Sequence, residues 1–95
     1  RINWTWRATD IVNFVRAQTS PYPGAFVLRD SGEKIIIHRA IPETRTIFAP
    51  VGGVFERRPD FVVIKCGDSA VRVLSAEMDG DNNLLRIFKS LKDRF

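Results

Sequence analysis

The sequence predicts a mainly β domain with flanking helices, of the α+β class: a small curled antiparallel sheet or partly open barrel, with one helix at each end. Three observations lead there. Apolar residues recur at helical spacing near the start and again after Asp81. Between them lie five or six short apolar runs separated by Gly, Pro and Asp clusters. The chain has 95 residues, enough for one core, so residues 1–95 are expected to be a single domain.

The first helix is read from Ala8, Ile11, Val12 and Val15, with Phe14 widening the stripe and Arg7, Asp10, Asn13 and Arg16 opposite. Asp10 near its start and Arg16 near its end suit the helix dipole, and Thr5 or Thr9 is expected to cap it. Trp4 and Trp6 alternate as on one face of an extended segment and are expected to cover one end of the core. Ser20, Pro21 and Pro23 stop the helix, and Gly24 supplies the positive φ of a sharp turn.

Ala25 to Arg29 and Lys34 to Arg39 follow as two strands joined through Asp30, Ser31 and Gly32. Ile35 and Ile37 share one face of the second, Ile36 and His38 the other, which predicts cover on both sides of the sheet. Residues 41–50 read as a connection with a short strand around Arg45 to Phe48. Gly52 and Gly53 before Val54 mark a bulge, a bend or the close approach of another backbone. Arg57 to Asp60 then turns into a hairpin of Phe61 to Cys66 and Ala70 to Ala76, where Gly67 suits a type II′ turn. A closing helix is predicted from Leu84, Ile87, Phe88, Leu91 and Phe95, capped by Asp79, Asp81 or Asn82.

The composition narrows the chemistry. The net charge is +4 and the isoelectric point near 9.8, which permits phosphate-bearing partners without requiring them. No run is long enough to cross a bilayer and no cleavable leader is visible, so a cytoplasmic protein is expected. The chain opens on Arg directly at a motif, as a domain taken from a longer protein would. The single cysteine, Cys66, cannot form an internal disulfide and reads as a buried, inert thiol. His38, the single histidine, has no serine or cysteine beside it in sequence, so nucleophilic catalysis is not predicted. One His and one Cys also make a poor metal set, and no metal is expected. Gly52 and Gly53 belong to no phosphate loop. What remains is a set of cations: Arg57 and Arg58 in a turn, and Arg86, Lys89 and Lys92 at three-residue spacing. They serve as a solvated face or as contacts to an acceptor or phosphate, the latter with steep salt dependence.

Taken together, INWTW at 2–6, ATDIVNFVRA at 8–17 and PYPGAF at 21–26 resemble the carboxy-terminal domain of the folate-dependent formyltransferases. That is the family of methionyl-tRNA formyltransferase and sugar N-formyltransferase. EKIIIHRA at 33–40, GGV at 52–54 and VIKCGDSAVRVLSAE at 63–77 extend the resemblance more loosely. It implies an OB-like barrel beside an amino-terminal Rossmann-like domain of the same chain. That domain binds 10-formyltetrahydrofolate and carries the catalytic Asn, His and Asp, so no catalytic or cofactor-binding residue is expected here, and His38 is not the family's catalytic histidine. The acceptor it implies is tRNA or a nucleotide-linked amino sugar, with this domain positioning the acceptor or bracing the catalytic half.

Two departures bear on the branch. Arg7 stands where relatives often carry a small capping residue. The end, DGDNNLLRIFKSLKDRF, lacks the GKK-type segment and acidic helix common in tRNA formyltransferases, which tilts the reading toward a sugar or other small-amine enzyme. The rival from another class is an independent OB-like nucleic-acid-binding module. Against it, Phe26, Phe48, Phe55 and Phe61 lie in apolar runs that suit a core better than a stacking platform.

Overall fold

The apolar stripe at 8–15 forms helix α1, Ala8–Ala17, with Ala8, Ile11, Val12 and Val15 buried as their spacing requires. The computed structural model describes residues 1–18, 22–29, 31–91 and 93–95; Ser20, Pro21, Asp30 and Lys92, which the sequence reading used, lie outside the described residues. Five strands follow: β1 Ala25–Leu28, β2 Lys34–Glu43, β3 Val54–Arg57, β4 Val62–Lys65 and β5 Ala70–Glu77. A single turn, α2 at Leu84–Ile87, comes last. The strands make one antiparallel sheet in the order β1-β2-β5-β4-β3. It is an open sheet rather than a closed barrel, since no ladder joins β1 to β3 among the described residues.

Register explains the core. Ala25 opposes Ile37 and Val27 opposes Ile35, so all four side chains fall on the face that α1 covers. Ile2, Trp4, Leu84, Ile87 and Phe88 complete that layer. Val62, Val63 and Ile64 are all fully buried, so β4 is covered on both faces. Ile47 and Ala70 cover Val63 from the far side in a second, smaller cluster.

Several sequence expectations change, among them the cap of α2, which is Asn83 rather than Asp79, Asp81 or Asn82. No strand forms at Arg45 to Phe48; the chain extends β2 instead, with Pro42 opposite Val71, and Ile47 reaches Val63 from a loop. Proline is tolerated there because β1 ends its pairing at Ile37, leaving that side of β2 without a ladder among the described residues. The closing helix is one turn. Beyond Phe88 the chain leaves the helix and pairs with the glycines: Gly53 bridges Arg94, the Val54 amide donates to the Asp93 carbonyl, and the Phe95 amide donates to the Gly52 carbonyl. Gly52 sits at φ +82°, and a Cβ there would lie 2.6 Å from the Phe95 carbonyl carbon, so the glycine pair serves close backbone approach. Trp4 and Trp6 lie in a turn closed by the Trp6 amide on the Asn3 carbonyl at 3.1 Å, with Trp4 buried and Trp6 packed edge-on against Phe14.

Another change concerns the helix start. Neither threonine caps α1: the N-cap is Arg7, without a side-chain cap, and the Thr5 hydroxyl donates to Asn3 Oδ1. The Ala8 amide donates instead to Asp68 Oδ1 at 2.9 Å, from a turn sixty positions away in the chain. That bond holds the Asp68 carboxyl below the usual range. Beside it the Gly67 amide donates to the Trp6 carbonyl at 2.9 Å. Gly67 is not at positive φ; a Cβ on it would lie 2.0 Å from the Thr5 carbonyl oxygen, so steric fit rather than turn geometry requires glycine.

Two substitutions test this joint. Gly67→Ala should lower the unfolding free energy by about 3 kcal/mol, at the level of severe overpacking. Asp68→Ala should cost about 1 kcal/mol as a lost cap, with Thr9→Ala nearly silent. Urea denaturation measures all three, and equal losses for Asp68→Ala and Thr9→Ala would return the cap to the threonine.

Candidate functional site

The predicted cations do not form one stripe. Arg57, at the end of β3, turns inward: Nη2 donates to the Leu85 carbonyl at 2.7 Å and Nε donates to the Phe88 carbonyl. It thus closes the open carbonyl end of α2. Arg58 points out and pairs through Nε with Glu56 at 2.9 Å. Arg86 is also exposed and holds Asp81 with two bonds of 2.8 and 3.1 Å, which lowers the Asp81 carboxyl. Because α2 stops at Ile87, Arg86 and the exposed Lys89 no longer share a helical face. Lys92 lies outside the described residues.

Two shallow grooves border these residues. One, of about 290 Å³, runs between Phe55, Arg57, Arg58 and the exposed Leu91. The other, of about 360 Å³, brings Lys89 together with Arg29, Arg94, Asp93 and Phe95. Arg29 and Arg94 are not singled out by the sequence. Nothing local marks Arg29 at the exit of β1; only the return of the C-terminal segment places Asp93 beside it, at 3.3 Å.

A charge network crosses the outer face of the sheet. Glu43 is 6% exposed and accepts from Arg72 Nε and Nη2 at 3.2 and 2.7 Å and from Arg45 Nη2 at 3.2 Å. Arg45 also reaches Glu56 at 2.5 Å, and Arg58 completes the chain. Burial by itself would raise the Glu43 carboxyl, but the hydrogen bonds from Arg72 and Arg45 outweigh it and lower its pKa from 4.5 to about 2. The hint in the sequence is weak: Arg72 alternates outward between Val71 and Val73, but its partner is fixed by the β2–β5 register.

The aromatic residues depart from the core role expected of them. Phe48 is 89% exposed and Phe55 40%, while Phe26 and Phe61 are half-buried under cations. Lys34 Nζ lies 4.4 Å above the Phe26 ring, and the Arg72 guanidinium 4.0 Å above Phe61. Phe61 also packs against the cluster of Ile47, Val63 and Ala70, so it keeps part of the expected core role, whereas Phe48 stands exposed in a loop. Cys66 is fully buried, and burial pushes its thiol pKa up. His38 is half-exposed, with Nε2 2.6 Å from Glu77 Oε1. Among the described residues, no three His, Cys, Asp or Glu side chains converge to hold a metal, and no helix is long and apolar enough to cross a membrane.

The sequence profile of a family described as "Formyl transferase, C-terminal domain" matches residues 1–85. The chain belongs to that family. Similar proteins include a methionyl-tRNA formyltransferase of Marinobacter nauticus, 35% identical over 80 residues, which are 83% of this chain and 25% of that protein. A methionyl-tRNA formyltransferase of Paraburkholderia xenovorans is 33% identical over 87% of this chain and 25% of its own length. One from Caldanaerobacter subterraneus is 29% identical over 87% of this chain and 26% of its own. The formyl transferase C-terminal domain seen here therefore spans about a quarter of the curated relatives it matches. INWTW, the first helix and the CGD turn all fall inside the matched residues, and in the fold they are the parts that touch.

The charge network carries a pH prediction. A carboxyl with a folded pKa of about 2 against an ordinary 4.5 binds its proton more readily unfolded, so its stabilisation is complete above pH 4.5 and is lost as pH falls toward 2. Urea midpoints of the native protein should drop across that window. Glu43→Gln should be less stable above pH 4.5 and show a shallower drop; parallel curves would remove Glu43 from the linkage.

Proposed function

We propose that this domain is the non-catalytic accessory part of a 10-formyltetrahydrofolate-dependent formyltransferase of the methionyl-tRNA type, and that it positions the acceptor beside a Rossmann-like catalytic domain of the same polypeptide. The family match carries the reading, together with relatives about four times longer that are named as methionyl-tRNA formyltransferases. In the reaction the acceptor amine would attack the formyl carbon of the folate donor, the bond from that carbon to the folate nitrogen would break, and the proton lost by the amine would end on the released tetrahydrofolate; base and oxyanion stabilisation would come from the catalytic domain. The folate belongs to that domain on this reading. Here the contribution is rigid placement: a sheet locked to α1 presents Arg58, Arg86 and Lys89 outward, and a phosphate backbone is attracted to such cations. The divergent C-terminal segment tilts the sequence reading toward sugar acceptors, but the names of the similar proteins favour tRNA. A free nucleic-acid-binding module is the less favoured reading, because the match is to a domain of formyltransferases.

In the parent enzyme, Arg58→Ala combined with Lys89→Ala should raise KM for methionyl-tRNA with little change in kcat. It should also flatten the dependence of log KM on log salt by roughly one for each phosphate that the variant leaves unneutralised. Formyl transfer to a nucleotide-linked amino sugar but not to tRNA would replace the acceptor. Absence of formyl transfer from 10-formyltetrahydrofolate to either would overturn the reading.

A further inference from the structure

The groove beside the C-terminal segment contains a guanidinium whose bonding is incomplete. The Arg29 side chain is 11% exposed, and its Nη1 makes one long contact, 3.3 Å, to Asp93 Oδ2. Among the described residues, no hydrogen-bond acceptor reaches its buried Nε and Nη2. These two nitrogens are the coplanar edge of the guanidinium, the pair that binds two oxygens of one oxyanion side by side. Leaving two charged donors buried without acceptors is costly, and most buried polar groups have partners.

The surroundings favour a ligand over a missing side chain. Around Arg29 the groove carries Lys89, which is exposed and has no ion pair among the described residues, and Arg94, whose Nε donates to the Val51 carbonyl at 3.1 Å. The two carboxylates in the wall are already engaged, Glu33 by the Ser31 hydroxyl at 2.9 Å and Asp93 by Arg29. The groove, a space of about 360 Å³, thus carries three cations and two carboxylates, an excess of one positive charge. The ring of Phe95, with its centroid 5.9 Å from the Arg29 guanidinium carbon, walls the groove on the apolar side.

We propose that Arg29, Lys89 and Arg94 form a binding site for a phosphate group, held side-on by the Nε and Nη2 edge of Arg29. On binding, the guanidinium turns that edge toward the groove and exchanges its long contact to Asp93 for two charge-assisted bonds. Lys89 supplies a mobile point charge to the remaining oxygens. The site stands on the groove alone and does not rest on which acceptor the parent enzyme uses.

The test titrates inorganic phosphate into the protein by calorimetry at fixed ionic strength, with chloride as the control. The native protein should bind phosphate with Kd on the order of 1 mM or tighter and ignore chloride. Arg29→Lys keeps the charge but removes the fork, and should weaken binding about tenfold or more. Lys89→Gln, an exposed change that leaves the fold intact, should weaken it less, and Asp93→Asn should tighten it by releasing Nη1. That last effect is one a purely structural Arg29 would not give. No phosphate binding by the native protein, or binding that neither Lys89→Gln nor Asp93→Asn alters, would overturn the site. A short RNA hairpin distinguishes the source of the phosphate: competition with the inorganic ion assigns the site to a phosphodiester backbone, and independent binding assigns it to a small phosphorylated ligand.

Discussion

The contact between the Cys66–Ser69 turn and the segment Thr5–Ala8 is the joint on which the rest of the structure depends. Asp68 supplies the acceptor that the first amide of α1 lacks, and Gly67 lets two backbones approach more closely than any Cβ would allow. The joint sets where α1 lies against the sheet. From there Ile11, Val12 and Val15 reach the face made by Val27, Ile35 and Ile37, and burial of each such side chain is worth roughly 1.5–3 kcal/mol. Remove the joint and the helix has an apolar stripe but no fixed position for it.

Charge in this domain is mostly turned to internal use. Arg57 closes α2, Arg72 and Arg45 hold Glu43, Arg58 follows through Glu56, and Arg86 holds Asp81. Ion pairing removes positive and negative charge in equal measure, so the net charge of +4 is carried by cations outside these pairs. Exposed ion pairs contribute little to stability individually, but the buried Glu43 cluster differs because loss of one partner strands another charge. Apart from these exposed pairs, Lys89 and Arg94 come together with Arg29 in one groove rather than along a helix.

Much of the fold was legible because it depends on short-range pattern. The α1 stripe, the positive φ of Gly24, the strands Ala25–Leu28 and Ala70–Glu77, and the close approach at Gly52 all follow from spacing or from residues with one dominant backbone role. The misread parts share a different cause. Leu91 and Phe95 continue a helical period that the chain abandons after Phe88, because pairing with Gly52 and Gly53 offers the same backbone groups better partners. Arg45 to Phe48 has strand-like residues, but the lengthened β2 takes the available edge of β5. Of the candidate site, Lys89 was legible as a candidate contact; Arg29 and Arg94 were not, since their placement arises from a contact between distant segments.

The sequence by itself determined the α+β class, the order of helix and strands, the absence of an internal disulfide, and the family resemblance, because each rests on local periodicity, turn residues or the identity of contiguous motifs. Only the tertiary structure decided that the sheet stays open, that Asp68 rather than a threonine caps α1, and that Arg57 faces inward while Arg29 faces a groove. Those outcomes depend on which distant backbone or carboxylate arrives at hydrogen-bond distance, and strand register, not residue type, settles that.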